Sequence, residues 1–140
     1  MSFFSRFSTM DEAVSAALPR QSGLYIDGGW REPLGGRGIT YNPGKGTELG
    51  SVAEANAQDV ERAVAAAHKA FLSWRKVKPL ERASMLKRIA SALRENAEEL
   101  ALLDSANCGN PVRAMTRDVL DGAALIDYFA GLATEANPAK

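Results

Sequence analysis

The sequence is poor in the residues that build metal and redox sites: it has one cysteine, Cys108, and one histidine, His68, in 140 residues. A lone thiol cannot close an internal disulfide, and one thiol with one imidazole cannot complete a structural zinc site. Excess charge is also lacking, with 17 Lys and Arg against 17 Asp and Glu. Without a concentrated basic stretch, there is no electrostatic ground for nucleic acid or an anionic membrane as a partner. Long apolar runs are missing too: no window approaches the roughly 18 residues of a membrane span. Polar residues break up the Phe-containing amino-terminal stretch before it reaches the length of a signal peptide. These absences point to a reducing, cytoplasmic setting, with neither nucleic acid nor membrane as partner.

Large apolar side chains are scarce. The chain has 24 Ala but only 30 Leu, Ile, Val and Phe together, just above the roughly 20% below which chains tend to stay disordered. With no net charge to expand it, the chain is expected to fold, but around a thin core. Either its helices pack closely through Ala, or part of the core comes from elsewhere. Its length suits one ordinary domain.

Thr9 followed by Glu12 is a capping-box pattern, and Met10, Val14, Ala17 and Leu18 predict a short helix that Pro19 stops. From Leu24 the period changes to alternation, with a turn at Gly28 and Gly29, then strands around Ile39–Tyr41 and Leu49–Ala53 separated by Asn42, Pro43 and Gly44. Asn56 and Asp59 open a helix over Ala57–Trp74, with an apolar stripe of Val60, Ala63, Val64, Ala67 and Phe71. Pro79 opens a second long helix running to about Ser105 with a bend near Asn96. A third begins near Pro111 or Val112 and ends near Gly131, with Met115, Val119, Gly122, Ile126 and Phe129 as its buried line. The expected fold class is α+β, mostly helical with a small antiparallel β-meander.

The candidate chemistry is sparse. His68 has no second imidazole and reads as structural or surface. Cys108 stands just ahead of the third helix, whose N-terminus could activate a thiol, but no base accompanies it. Gly44 and Lys45 have Ile39 where a phosphate loop needs its first Gly and Gly46 where it needs the hydroxyl. The run Gly35, Gly36, Arg37, Gly38 lacks the strand before it and the helix after it that a dinucleotide fingerprint requires. Charges on the helices alternate in sign and read as solvated surface, with Arg117 and Asp121 placed for i, i+4 attraction.

The order of particular residues says more. The strings LYIDGGWREP, ITYNPGKGTELGSVAEANAQDVERAVAAAHKAF, Trp74, ERASMLKRIASALRENAEELALLDSANCGNPV and RDVLDGAALIDYFAG occur in that sequence from Leu24 onward. In order and spacing they resemble the amino-terminal portion of the NAD(P)-dependent aldehyde dehydrogenase family. The resemblance implies that residues 23–140 form part of a Rossmann-like α/β cofactor domain, and that 1–22 is an extension carrying the short helix. It also implies that the family's nucleophilic cysteine, its glutamate base, its oxyanion asparagine and its cofactor loops lie beyond Lys140. No catalytic or cofactor-binding residue is therefore carried over, and Cys108 matches a loop position rather than the nucleophile.

Two lesser roles follow from the resemblance. Tyr41 and Asn107 correspond to positions that hold a structural monovalent cation, although an amide here replaces the family's acid. Asp118, Asp121 and Gly122 correspond to a helix flanking the substrate channel. The implied function is that of an aldehyde dehydrogenase's first segment. It would be inactive and bind no cofactor alone, and would use NAD or NADP only in the complete enzyme. Its partners would be the remainder of the enzyme or further copies in a homo-oligomer. The alternative is a non-catalytic module that associates with itself or with a partner.

Overall fold

The computed structural model describes residues 2–19 and 23–135. The elements are a single 3-10 turn (Phe4–Arg6), α1 (Met10–Ala17), β1 (Leu24–Ile26), β2 (Gly29–Arg31), β3 (Arg37–Asn42), β4 (Thr47–Ala53), α2 (Ala57–Trp74), α3 (Pro79–Glu95), α4 (Ala97–Cys108) and α5 (Val112–Glu135). They fall into two compact units. The first joins Met1–Ala17 to Val77–Lys140 and the second is Leu18–Lys76. The domain boundary expected at residue 22 falls among positions 20–22, outside the described residues.

The first unit is an antiparallel helical assembly. α5 packs along α3 and α4, and α1 packs on α4. Among its described residues, nine of the eleven buried apolar ones are alanines, including Ala90, Ala101, Ala123 and Ala130, which have no accessible surface. Small side chains at these contacts let helix axes approach closely, which is how a sequence short of large apolar residues still closes a core. Leu102 forms a cluster with Ala13 and Ala17, and Phe3, Phe4 and Phe7 pack against it. α1 is capped as predicted: Thr9 Oγ1 accepts from the Glu12 N–H at 3.2 Å and the Glu12 carboxylate accepts from the Thr9 N–H at 3.2 Å.

The expected bend at Asn96 is a full break between two helices. The Asn96 side chain donates to the Ala92 carbonyl at 2.8 Å, and its backbone leaves the helical region at φ −110°, ψ 16°. α4 then ends at Gly109, whose φ of 83° is the left-handed conformation that a glycine adopts without steric cost. On α5 the buried line shifts by one residue from that predicted. Met115 is buried, but Ala130 takes the place expected for Phe129, which is 58% exposed.

The second unit contains two separate antiparallel hairpins, β1–β2 and β3–β4, with no ladder joining them among the described residues. The turn of the first lies at Asp27 and Gly28, one residue earlier than predicted. Both have positive φ (53° and 75°), as a two-residue type I′ turn demands. β3 and β4 carry a bulge at Thr40/Tyr41. α2 has the predicted bounds and a reciprocal capping box between Asn56 and Asp59.

The apolar stripe of α2 is not buried as its periodicity suggests: Val60, Val64 and Phe71 are each more than half exposed. At 100° per residue, Arg62, Ala65, Ala66 and Lys69 lie on the face opposite that stripe, and it is this face that the β1–β2 hairpin covers. The physical reason is the capping carboxylate. Asp59 Oδ2 accepts from the Leu34 N–H at 2.8 Å as well as from the Asn56 N–H at 3.2 Å, tying the chain after the first hairpin to that side of the helix.

Candidate functional site

The residues singled out by sequence do not converge on one centre. His68 is exposed on α2. Cys108 is exposed and is the last residue of α4, so the helix N-terminus considered for it is not the helix end at which it sits. Its Sγ lies 3.9 Å from Met115 Sδ. Among the described residues, no three His, Cys, Asp or Glu side chains group as a metal site, and no helix is long and apolar enough to cross a membrane.

The glycine-rich stretches are architectural. In the β3–β4 loop, the Asn42 carbonyl accepts from the N–H groups of Lys45 at 3.3 Å and Gly46 at 2.7 Å, while Asn42 Oδ1 accepts from Gly44 at 3.0 Å. These amides point at Asn42 and so do not form a phosphate cradle. Gly36 has φ 92°, and a Cβ at Gly35 would collide with the Glu54 carbonyl. Both glycines therefore serve the close return of β4 past the start of β3.

Tyr41 lies at the bulge of β3, opposite Glu48, and is largely exposed. Asn107 is exposed in the last turn of α4, within the other unit. Asp118, Asp121 and Gly122 share one side of α5, spanning about 100° of arc. Asp118 and Asp121 are exposed and Gly122 is half-buried beside the line of Met115 and Ala123. Arg117 Nε sits 3.5 Å from Asp121 Oδ2, the predicted i, i+4 pair. The three positions thus form a polar flank next to a buried stripe.

One perturbed carboxylate lies outside these candidates. Glu98, in the first turn of α4, is held below the usual carboxylate range, chiefly because the Ser2 hydroxyl donates to it at 2.6 Å. The Phe3 N–H donates at 2.5 Å to the same oxygen. Burial opposes the shift. This group latches the amino-terminal segment onto α4 and offers no reactive partner. Sequence reasoning also passed over a basic cleft under the first hairpin, because its cations are far apart in the chain and each reads alone as solvated.

Comparison with known proteins gives the arrangement a context. A sequence profile of the aldehyde dehydrogenase family matches residues 30–140. Aldehyde dehydrogenase tropH of Talaromyces stipitatus is 48% identical over 120 residues, covering 85% of this chain and 23% of that protein. Betaine aldehyde dehydrogenase 1 of Oryza sativa subsp. japonica is 40% identical over 127 residues, covering 86% of this chain and 25% of that protein. The chain spans about a quarter of the length of these relatives.

Among solved structures, HpcC from Thermus thermophilus superposes with a TM-score of 0.86 at 27% identity, over 94% of this chain and 26% of that one. PnpE in complex with nicotinamide adenine dinucleotide superposes with a TM-score of 0.79 at 37% identity, over 86% of this chain and 26% of that one. The mostly helical fold with antiparallel strand pairs is that of a portion of the Rossmann-like domain of such enzymes.

Proposed function

Since this chain belongs to the aldehyde dehydrogenase family, and corresponds to an amino-terminal portion of such an enzyme, we propose that it serves as scaffold for the cofactor domain of an enzyme oxidising an aldehyde to a carboxylic acid with NAD(P)+. The observation that carries the reading is the family match over residues 30–140 in a chain spanning about a quarter of its relatives. The chemistry fits, because the one thiol, Cys108, has a thioether rather than a base beside it and a nucleophile needs a base. The 140-residue chain alone is expected to form no NADH or NADPH from NAD(P)+ and a panel of aldehydes, followed by the absorbance of reduced nicotinamide. Clear turnover overturns the reading.

The roles of Tyr41 and Asn107 toward a structural cation, and of Asp118, Asp121 and Gly122 toward the substrate channel, are proposals resting on the resemblance. The division of the chain at residue 22 is a proposal on the same ground, and a cytoplasmic setting is one resting on the lone cysteine and the interrupted apolar runs. Partnership with the remainder of the enzyme, or assembly into a homo-oligomer, is likewise proposed.

A second reading, a non-catalytic module that associates with itself or a partner, is favoured by one observation. α2 leaves Val60, Val64, Phe71 and Leu72 bare, and an exposed apolar patch of this kind marks an interaction surface. Light scattering over a range of concentrations tests it, and a monomer throughout counts against self-association.

A further inference from the structure

The β1–β2 hairpin lies over the polar face of α2 and leaves an open cleft of about 360 Å³ between them. Three cationic side chains line it: Arg31 at the end of β2, and Arg62 and Lys69 two turns apart on α2. Ile26, Ala65 and Ala66 supply an apolar wall. The alternation of the hairpin explains the gathering, since Ile26 and Arg31 project to one face while Tyr25 and Trp30 stack against each other on the opposite face.

The cations are under-neutralised. Lys69 Nζ stands 3.9 Å from Asp27 Oδ2 and Arg62 NH1 3.8 Å from Asp59 Oδ1. Both are long for an ion pair, where charge-assisted hydrogen bonds close to about 2.7–2.9 Å. Asp59 also accepts from two backbone N–H groups on Oδ2, which leaves Oδ1 alone to face Arg62. The Arg31 guanidinium makes no ion pair or hydrogen bond among the described residues. A guanidinium presents a planar fork of donors suited to two oxygens of one oxyanion.

We propose that this cleft binds a phosphate monoester, with the dianionic phosphoryl group held by Arg31, Arg62 and Lys69 and the organic part laid against Ile26, Ala65 and Ala66. Three cations against the single carboxylate lining the cleft favour a doubly charged group over a monocarboxylate. A dianion also competes with Asp27 for Lys69 better than a monoanion does. The apolar wall favours an ester over inorganic phosphate.

Nuclear magnetic resonance titration of the chain with phenyl phosphate, and with benzoate at equal ionic strength, tests the assignment. The expected result is saturable movement of the Ile26, Ala65 and Ala66 resonances, with phenyl phosphate bound about tenfold more tightly than benzoate. Arg31→Gln and Arg62→Gln should each weaken phenyl phosphate by about tenfold while the circular dichroism stays unchanged. Lys69→Gln is the second variant should either arginine variant lose helicity. Non-saturating shifts spread over the cationic surface, equal affinity for benzoate, or affinity unaltered in the folded variants would each overturn the proposal.

Discussion

The two units reach order by different means. Every buried apolar residue among those described lies in the helical unit, whereas the buried set of the hairpin unit consists of one carboxylate, Asp59. The helical unit is held by close packing of alanines around Leu102 and Met115, a dispersion-rich arrangement that tolerates few changes of volume. The hairpin unit is held by hydrogen bonds at a helix cap and by two turns, with its largest apolar stripe facing away from its own strands. A low content of large apolar residues therefore has two outcomes in one chain. Where helices can pack on helices, Ala suffices. Where a single helix meets a hairpin of two three-residue strands, it does not.

Both tryptophans, Trp30 and Trp74, belong to the hairpin unit, so their fluorescence follows that unit alone, while far-ultraviolet circular dichroism follows mainly the helical one. In urea the fluorescence transition should come at lower denaturant than the dichroism transition; coincident curves would show a single cooperative unit and dissolve the contrast.

The largest single effect should come from Leu102→Ala, which empties the centre of the α1–α4 cluster and costs about 2–4 kcal/mol. It should move the dichroism transition and leave the fluorescence transition in place. Next in size, Asp59→Ala removes the N3 half of the α2 capping box and strands the N–H groups of Leu34 and Asn56, a loss of about 2 kcal/mol. It should move the fluorescence transition alone.

Smaller still is the acid response of the Glu98 latch. Its carboxyl is held below its unfolded value by Ser2 and Phe3, so its contribution is present above the ordinary carboxylate range and disappears as pH falls through the lowered folded value. The protection of the Phe3 amide, its intrinsic exchange rate divided by the observed rate at each pH, should fall on acidification in the native chain, and a pH-independent ratio of protection between native and Glu98→Gln chains would remove the latch. The smallest effect belongs to Val64→Ser on the bare stripe of α2, expected within about 0.5 kcal/mol in the isolated chain because that side chain is already 63% exposed.

Helix positions were legible wherever a local rule sets them. Asn56 with Asp59 placed α2, Thr9 with Glu12 placed α1, and Asn110-Pro111 placed the start of α5. What was not legible depends on distant partners. Periodicity identifies the apolar face of α2 but cannot say that the hairpin settles on the opposite one, because that choice follows from the Leu34–Asp59 hydrogen bond across 25 residues of sequence. Ala130 in place of Phe129 reflects the close approach demanded at the contact with α3, where an aromatic ring would not fit. The basic cleft was hidden for the same reason: Arg31 becomes a neighbour of Arg62 and Lys69 only once the hairpin folds over α2. Asp118, Asp121 and Gly122 were singled out by the family resemblance, and helical spacing puts them on one side of α5.

The helical unit is discontinuous in sequence, and this has a consequence for how the chain is made. Residues 18–76 are contiguous and can close their hairpins and helix as soon as they leave the ribosome, whereas Phe3, Phe4, Phe7 and the apolar side of α1 must wait until α4 has been synthesised. Segments emerging first generally fold first, but here Phe3, Phe4 and Phe7 precede residues 18–76 in the chain and are covered after them. During that interval those three phenylalanines are uncovered apolar surface open to adventitious contacts.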